Sequence, residues 1–217
     1  MAIPIYMMPG MAASPAIFEN IDLDGSKYEL HLLQWKIPGK DETLTDYASR
    51  MLEDVIHENP VLLGVSFGGV LVQEMAKQIA HKKLIIVSSI KTRAEMPRRM
   101  RVSGKLKLYG IAPVSIFKNM DQWPKYAPSS KLKHKAELYR KYLSVNDPRY
   151  LNWAIKQMVC WDQQVPPKDI VHIHGTADPV FPYKYIKDCI TIKGGTHIMI
   201  LTKFKWFNEH LPEIIGN

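Results

Sequence analysis

Cysteine is scarce in this chain: 217 residues hold two, Cys160 and Cys189. A lone pair of thiols builds no disulfide framework and has no metal-ligand spacing, so each is read as a small buried hydrophobe. No apolar run approaches the roughly 18 residues needed to span a bilayer. The stretch Met1 to Gly10 lacks a basic region and a small-residue cleavage site, which predicts a core strand rather than a secretory leader. These absences predict a cytoplasmic protein without integral membrane contact. Repeats, low-complexity tracts and a glycine-rich phosphate loop are also missing. At this length one domain with room for an insertion is expected.

Acidic residues are outnumbered 21 to 29, giving a net charge of +8. The excess is local. Residues 91–160 hold 16 basic and 4 acidic residues and carry +12, while the remainder holds 13 basic and 17 acidic and carries −4. Such a segment suits a solvated helical surface or an anionic substrate. It carries no recognisable docking motif, so no nucleic acid is expected as a partner.

Short apolar runs punctuated by Pro, Gly and Asn predict six strands: Ala2–Met8, Tyr28–Trp35, Val61–Val65, Leu84–Ser88, Ile170–His174 and Cys189–Lys193. Helical spacing falls between them. Ser14-Pro15 suits a helix start. Tyr47, Met51, Leu52, Val55 and Ile56 predict an amphipathic helix over 45–58. Further helices are expected from Phe67 to Ala80, from Pro182 to Asp188 and from Ile198 to Leu211. Between Ile90 and Asp169 the alternation lapses. Helices over 96–109, 131–145 and 150–159 are the best patches there, too long in sum for a crossover. The expected organisation is a core of residues 1–90 and 161–217 with a basic helical lid inserted at 91–160. Alternating strands and helices imply an α/β fold with a mostly parallel sheet, whose chemistry belongs at the carboxyl ends of the strands.

One stretch organises the rest. Val61-Leu62-Leu63-Gly64-Val65-Ser66-Phe67-Gly68-Gly69 reads as a buried strand, a Gly-x-Ser-x-Gly turn and a helix start. That turn presents a serine hydroxyl above the sheet, with the Phe67 amide free at the positive end of a helix. A serine needs a base, and the base needs an orienting carboxylate. Asp178 and His197 follow in that order, each just after a predicted strand.

Together these segments resemble the α/β-hydrolase superfamily over nearly the whole chain outside residues 91–160. The resemblance rests on Gly64–Gly68, on His174-Gly175-Thr176-Ala177-Asp178-Pro179 and on Gly194-Gly195-Thr196-His197. It implies an α/β-hydrolase fold with Ser66 as nucleophile, His197 as general base then acid, and Asp178 as the orienting carboxylate. The family's usual His-Gly before the oxyanion loop is here Pro9-Gly10. By position the amides of Met11 and Phe67 form the oxyanion hole, with Ala12 the nearest rival to Met11.

His172 and His174 alternate along a strand and are read as structural, His174 as a brace for the acid loop. His31, His57, His81, His134 and His210 have no partner by pattern. Asp162, Asp169 and Asp188 are weaker rivals to Asp178. Ser88 and Ser89 end a strand near the site. Trp153, Trp161, Met158 and Met120 either pack the lid or line an acyl pocket. The expected activity is hydrolysis of a carboxylic ester through an acyl-enzyme, with no metal or organic cofactor. The alternatives are a thioesterase acting on an anionic acyl carrier and a non-catalytic ligand-binding member of the fold. The partner is then a small acyl ester or thioester.

Overall fold

Alternation along the strands decides the layering. Ile5 and Met7 point to one face of the sheet and Tyr6 and Met8 to the other, as period-two geometry requires. The computed structural model describes residues 2–107 and 141–216. Six strands lie within them: β1 (Ile3–Met8), β2 (Tyr28–Leu32), β3 (Val61–Val65), β4 (Lys83–Val87), β5 (Ile170–Gly175) and β6 (Ile190–Ile192). They form one sheet in the order β2-β1-β3-β4-β5-β6, with every pair parallel.

The helices divide between the two faces. On one side α1 (Leu44–Leu52), α2 (Phe67–Ala76) and α4 (Pro148–Cys160) cover Tyr6, Met8, Leu62, Leu84 and Ile86. On the other a 3₁₀ turn (Pro15–Phe18), α5 (Met199–Thr202) and α6 (Phe204–Gly216) cover Ile5, Met7, Val61, Leu63, Val65, Ile85 and Val87. Strands β3 and β4 are buried on both faces and read as continuous apolar runs for that reason. A further helix, α3 (Arg98–Lys105), follows β4. Among the described residues no helix is long and apolar enough to cross a membrane.

Several boundaries depart from the sequence pattern. Helix α1 ends at Leu52, six residues before the expected end. The chain then turns, with Val55 N–H on the Leu52 carbonyl and Ile56 N–H on the Tyr6 hydroxyl, leaving Ile56 79% exposed instead of on a buried face. Helix α2 stops at Ala76 rather than Ala80. The helix expected over 182–188 is one 3₁₀ turn, Tyr183–Tyr185, because Ile186 returns to extended backbone. The final helix is two, broken at Lys203. Most of the helix expected over 131–145, and Met120, lie outside the described residues.

Sheet order reverses at β1, which pairs with β2 on one side and β3 on the other. A parallel sheet opens a crevice above such a reversal, at the carboxyl ends of the strands. Gly10 follows β1 and Ser66 follows β3, so the crevice lies between them.

Candidate active site

The turn after β3 forces Ser66 into a backbone conformation that costs any residue with a Cβ, φ 53° and ψ −120°. Two glycines permit it. A Cβ on Gly64 would strike the Gly68 carbonyl, and one on Gly68 would strike the Pro9 carbonyl. Strand β3, helix α2 and the end of β1 therefore meet with no room for side chains. Hydrogen bonds fix the strained residue on three sides: Ser66 N–H donates to the Val87 carbonyl, and Gly69 N–H and Ser89 Oγ, the latter at 2.7 Å, donate to the Ser66 carbonyl.

His197 comes from the loop between β6 and α5. Its Nε2 lies 2.9 Å from Ser66 Oγ and its Nδ1 2.9 Å from Asp178 Oδ2. Asp178 follows β5, and its other oxygen accepts the amides of Val180 and Phe181 at 2.8 and 3.0 Å. Burial pushes the Asp178 carboxyl up, but the His197 hydrogen bond and charge and these two amides outweigh it and hold the pKa below its ordinary value. Asp178 therefore remains ionised beside His197. The structure thus brings the three predicted residues into one hydrogen-bonded line. Asp162 and Asp188 pair elsewhere, with Arg93 and through a carbonyl to Lys91.

Behind Asp178 stand the two strand histidines. His174 Nε2–H donates to the Phe181 carbonyl at 2.9 Å, which fixes its tautomer and braces the turn carrying the acid. Its Nδ1 then accepts from His172 Nε2–H at 3.2 Å. Burial lowers both imidazole pKa values, that of His172 well below the ordinary range, where the neighbouring His174 adds to the effect.

The loop Gly10–Ala13 passes over the serine. An added Cβ on Gly10 would stand 3.4 Å from Ser66 Cβ. Among the described residues neither Met11 N–H nor Phe67 N–H has an acceptor. The Tyr150 hydroxyl close to this loop is buried without a hydrogen-bond partner among the described residues, and burial drives its pKa well above that of an ordinary tyrosine. Trp35, beyond the end of β2, donates its indole N–H to the Gly10 carbonyl at 2.8 Å and stacks on Phe67 with ring centroids 5.2 Å apart. Residues 142–145 hold the same loop, with Ser14 N–H on the Tyr142 carbonyl and Val145 N–H on the Ala12 carbonyl.

A cavity of about 350 Å³ opens beside Ser66 and His197. Ala13, Ile17, Val65, Leu143, Ile200 and Leu201 give it apolar walls. Trp153, Trp161 and Met158 are not among its lining. They are buried in the layer of α1, α2 and α4, where Trp153 Nε1 donates to the Glu42 carbonyl and Trp161 Nε1 to Glu74 Oε1.

No protein-family model matches the sequence, and no curated protein is similar to it in sequence. Solved structures are similar over the full length. A bromoperoxidase from Bacillus anthracis matches with a TM-score of 0.71 at 17% identity, covering 100% of this chain and 93% of that one. An esterase from Exiguobacterium antarcticum matches at 0.69 and 17%, covering 100% and 92%. An alpha/beta hydrolase fold protein from Burkholderia ambifaria matches at 0.68 and 13%, covering 98% and 91%. The chain has the α/β-hydrolase fold. Within that fold Trp35 and Ser89 are the site residues that sequence reasoning missed or left unassigned. Trp35 reads as the last residue of an apolar strand, and Ser89 as one of two serines after β4 without a motif. Only the contacts they make across the sheet distinguish them.

Proposed function

We propose that this protein is a serine hydrolase that cleaves a carboxylic ester through an acyl-enzyme. The observation that supports this reading is the Asp178–His197–Ser66 line opening on an apolar cavity. Ser66 Oγ attacks the carbonyl carbon as His197 Nε2 takes its proton. The amides of Met11 and Phe67 hold the developing oxyanion. Collapse breaks the carbonyl–oxygen bond, and the proton on His197 passes to the leaving alcohol. Water, deprotonated by the same histidine, then attacks the acyl-enzyme, releasing the acid and restoring Ser66. Of the segment expected as a lid, Tyr142 and Leu143 reach the cavity wall, whereas α4 at its end packs on the sheet as part of the core.

The +12 charge of residues 91–160 favours a second reading, a thioester carried on an anionic group. The two readings differ in salt response. For an anionic carrier kcat/KM falls as salt is added, and for a small neutral ester it does not.

Intact mass after incubation with a fluorophosphonate tests the chemistry. One adduct on the wild type and none on Ser66→Ala is the expected result. No adduct on folded wild type, or an equal adduct on the variant, overturns the proposal and favours a ligand-binding member of the fold.

A further inference from the structure

Glu29 and His31 stand two residues apart on β2 and therefore share one face of the edge strand. His57, from the connection between α1 and β3, lies against them, its ring centroid 4.8 Å from that of His31. One carboxylate oxygen and one nitrogen from each imidazole all fall within 4.8 Å of one another. The cluster shares no residue with the Ser66 site.

The details of the contacts suit a shared cation better than hydrogen bonds among the three. His31 Nε2 is shielded from solvent and sits 3.1 Å from Glu29 Oε1, yet without the alignment of a hydrogen bond, and it has no other partner among the described residues. His57 Nε2 is 3.9 Å from Glu29 Oε2, beyond hydrogen-bond reach. A tetrahedral zinc ion with bonds of about 2.0–2.1 Å holds neighbouring ligand atoms about 3.3–3.5 Å apart. The three ligand atoms lie within 4.8 Å of one another, and the exposed Glu29 side chain can rotate toward the two imidazoles.

His57 also has an outer partner. Its Nδ1 lies 2.7 Å from the Tyr6 hydroxyl, which accepts Ile56 N–H at 3.1 Å. When Nδ1–H donates to Tyr6, Nε2 presents its lone pair to an ion, the arrangement common around metal-bound histidines. The stacked ring of Tyr6 against His31, with centroids 4.6 Å apart, holds the second imidazole in place.

We propose that Glu29, His31 and His57 bind a divalent transition-metal ion of the Zn²⁺ class. Two imidazoles and one carboxylate favour such an ion over Mg²⁺ or Ca²⁺, which take oxygen ligands. Three protein ligands leave a fourth position to water. The ion ties edge strand β2 to the connection before β3, and its role is structural.

The test uses untagged full-length protein carrying Cys160→Ser and Cys189→Ser, so that no thiol competes. Zn²⁺ binding is followed by calorimetry, Co²⁺ binding by its visible absorption, and unfolding by thermal melts. One ion per chain is expected, with the melting point raised by about 5 °C at saturating Zn²⁺ and unchanged by Mg²⁺. His31→Ala and His57→Ala each weaken binding at least tenfold. Glu29→Gln, at an exposed side chain, keeps the metal-free melting point and also weakens binding. No bound ion in the parent, or unchanged affinity in both histidine variants and in Glu29→Gln, overturns the assignment.

Discussion

The indole N–H of Trp35 holds the carbonyl of Gly10 at 2.8 Å. That carbonyl belongs to the same planar peptide as Met11 N–H, and in a trans peptide the two point in opposite directions. Trp35 therefore sets the direction of the amide proposed as an oxyanion donor, while its ring face packs on Phe67, the source of the other. Trp35→Phe keeps most of the ring contact and loses the donor. Loss of a whole oxyanion donor costs about 10²–10³ in kcat, and a misaligned one less. The expected result is a fall in kcat of about tenfold with KM within twofold, measured with p-nitrophenyl esters. A change confined to KM would count against a positioning role.

Asp178→Asn leaves the amides of Val180 and Phe181 with a neutral acceptor and reverses the preferred tautomer of His197. A drop in kcat of about 10³–10⁴ is expected, with the near-ultraviolet circular dichroism unchanged. An activity loss below tenfold would mean that Asp178 does not orient the base.

Buried neutral imidazoles at His172 and His174 make stability depend on pH. Their folded pKa values are depressed, so below about pH 6.5 the unfolded chain takes up protons that the folded chain refuses. Stability is therefore present above that pH and is lost as pH falls toward the depressed values. Each imidazole contributes up to about 1.4 kcal/mol per pH unit in that window. In urea unfolding between pH 6.5 and 5, His172→Asn should show the shallower slope. Equal slopes in the two proteins would refute the assignment.

Cavity shape should decide acyl length. Leu201→Trp places a ring in the space beside Ser66 that Ile17 and Leu143 share. Each methylene excluded from an apolar pocket costs about 0.8 kcal/mol, or about fourfold in kcat/KM. The variant should lose activity on long-chain esters by that factor per methylene and keep it on acetate esters. A uniform loss across chain lengths would place the acyl chain elsewhere.

Gly64→Ala tests the turn itself. The new methyl meets backbone rather than a flexible side chain, so β3 and α2 must separate. A loss of at least about 3 kcal/mol in unfolding free energy is expected. An unchanged denaturation midpoint would show that the close approach is not required.

How much of this was legible in the sequence varied with the range of the interaction. The order of the six strands along the chain, the serine turn and the His197 loop are local signals: apolar runs, glycines where a Cβ has no room, and residues placed at strand ends. Helix ends were not local. The periodicity through Val55 and Ile56 looks helical, but Tyr6, fifty residues away, takes Ile56 N–H and ends α1 early. Trp35 reads as strand because its apolar character hides the single hydrogen bond that matters. His31 and His57 carry no sequence pattern because they meet only when β2 and the α1–β3 connection pack against the hydroxyl of Tyr6. The tryptophans of α4 were ambiguous between pocket and core, and indole hydrogen bonds to Glu42 and Glu74 decide for core.

The Ser66 turn is locked by backbone from β1, β3, β4 and α2, with no tolerance for an added methyl group. The wall across from it is different: Ile198, Ile200, Leu201 and Thr202 come from one short helical stretch that carries none of those locks. Inheritance can therefore act on the two parts separately. Substitutions in that stretch can reshape the cavity while Ser66 stays where the sheet puts it, so descendants of one such chain can diverge in what the cavity admits without rebuilding the turn.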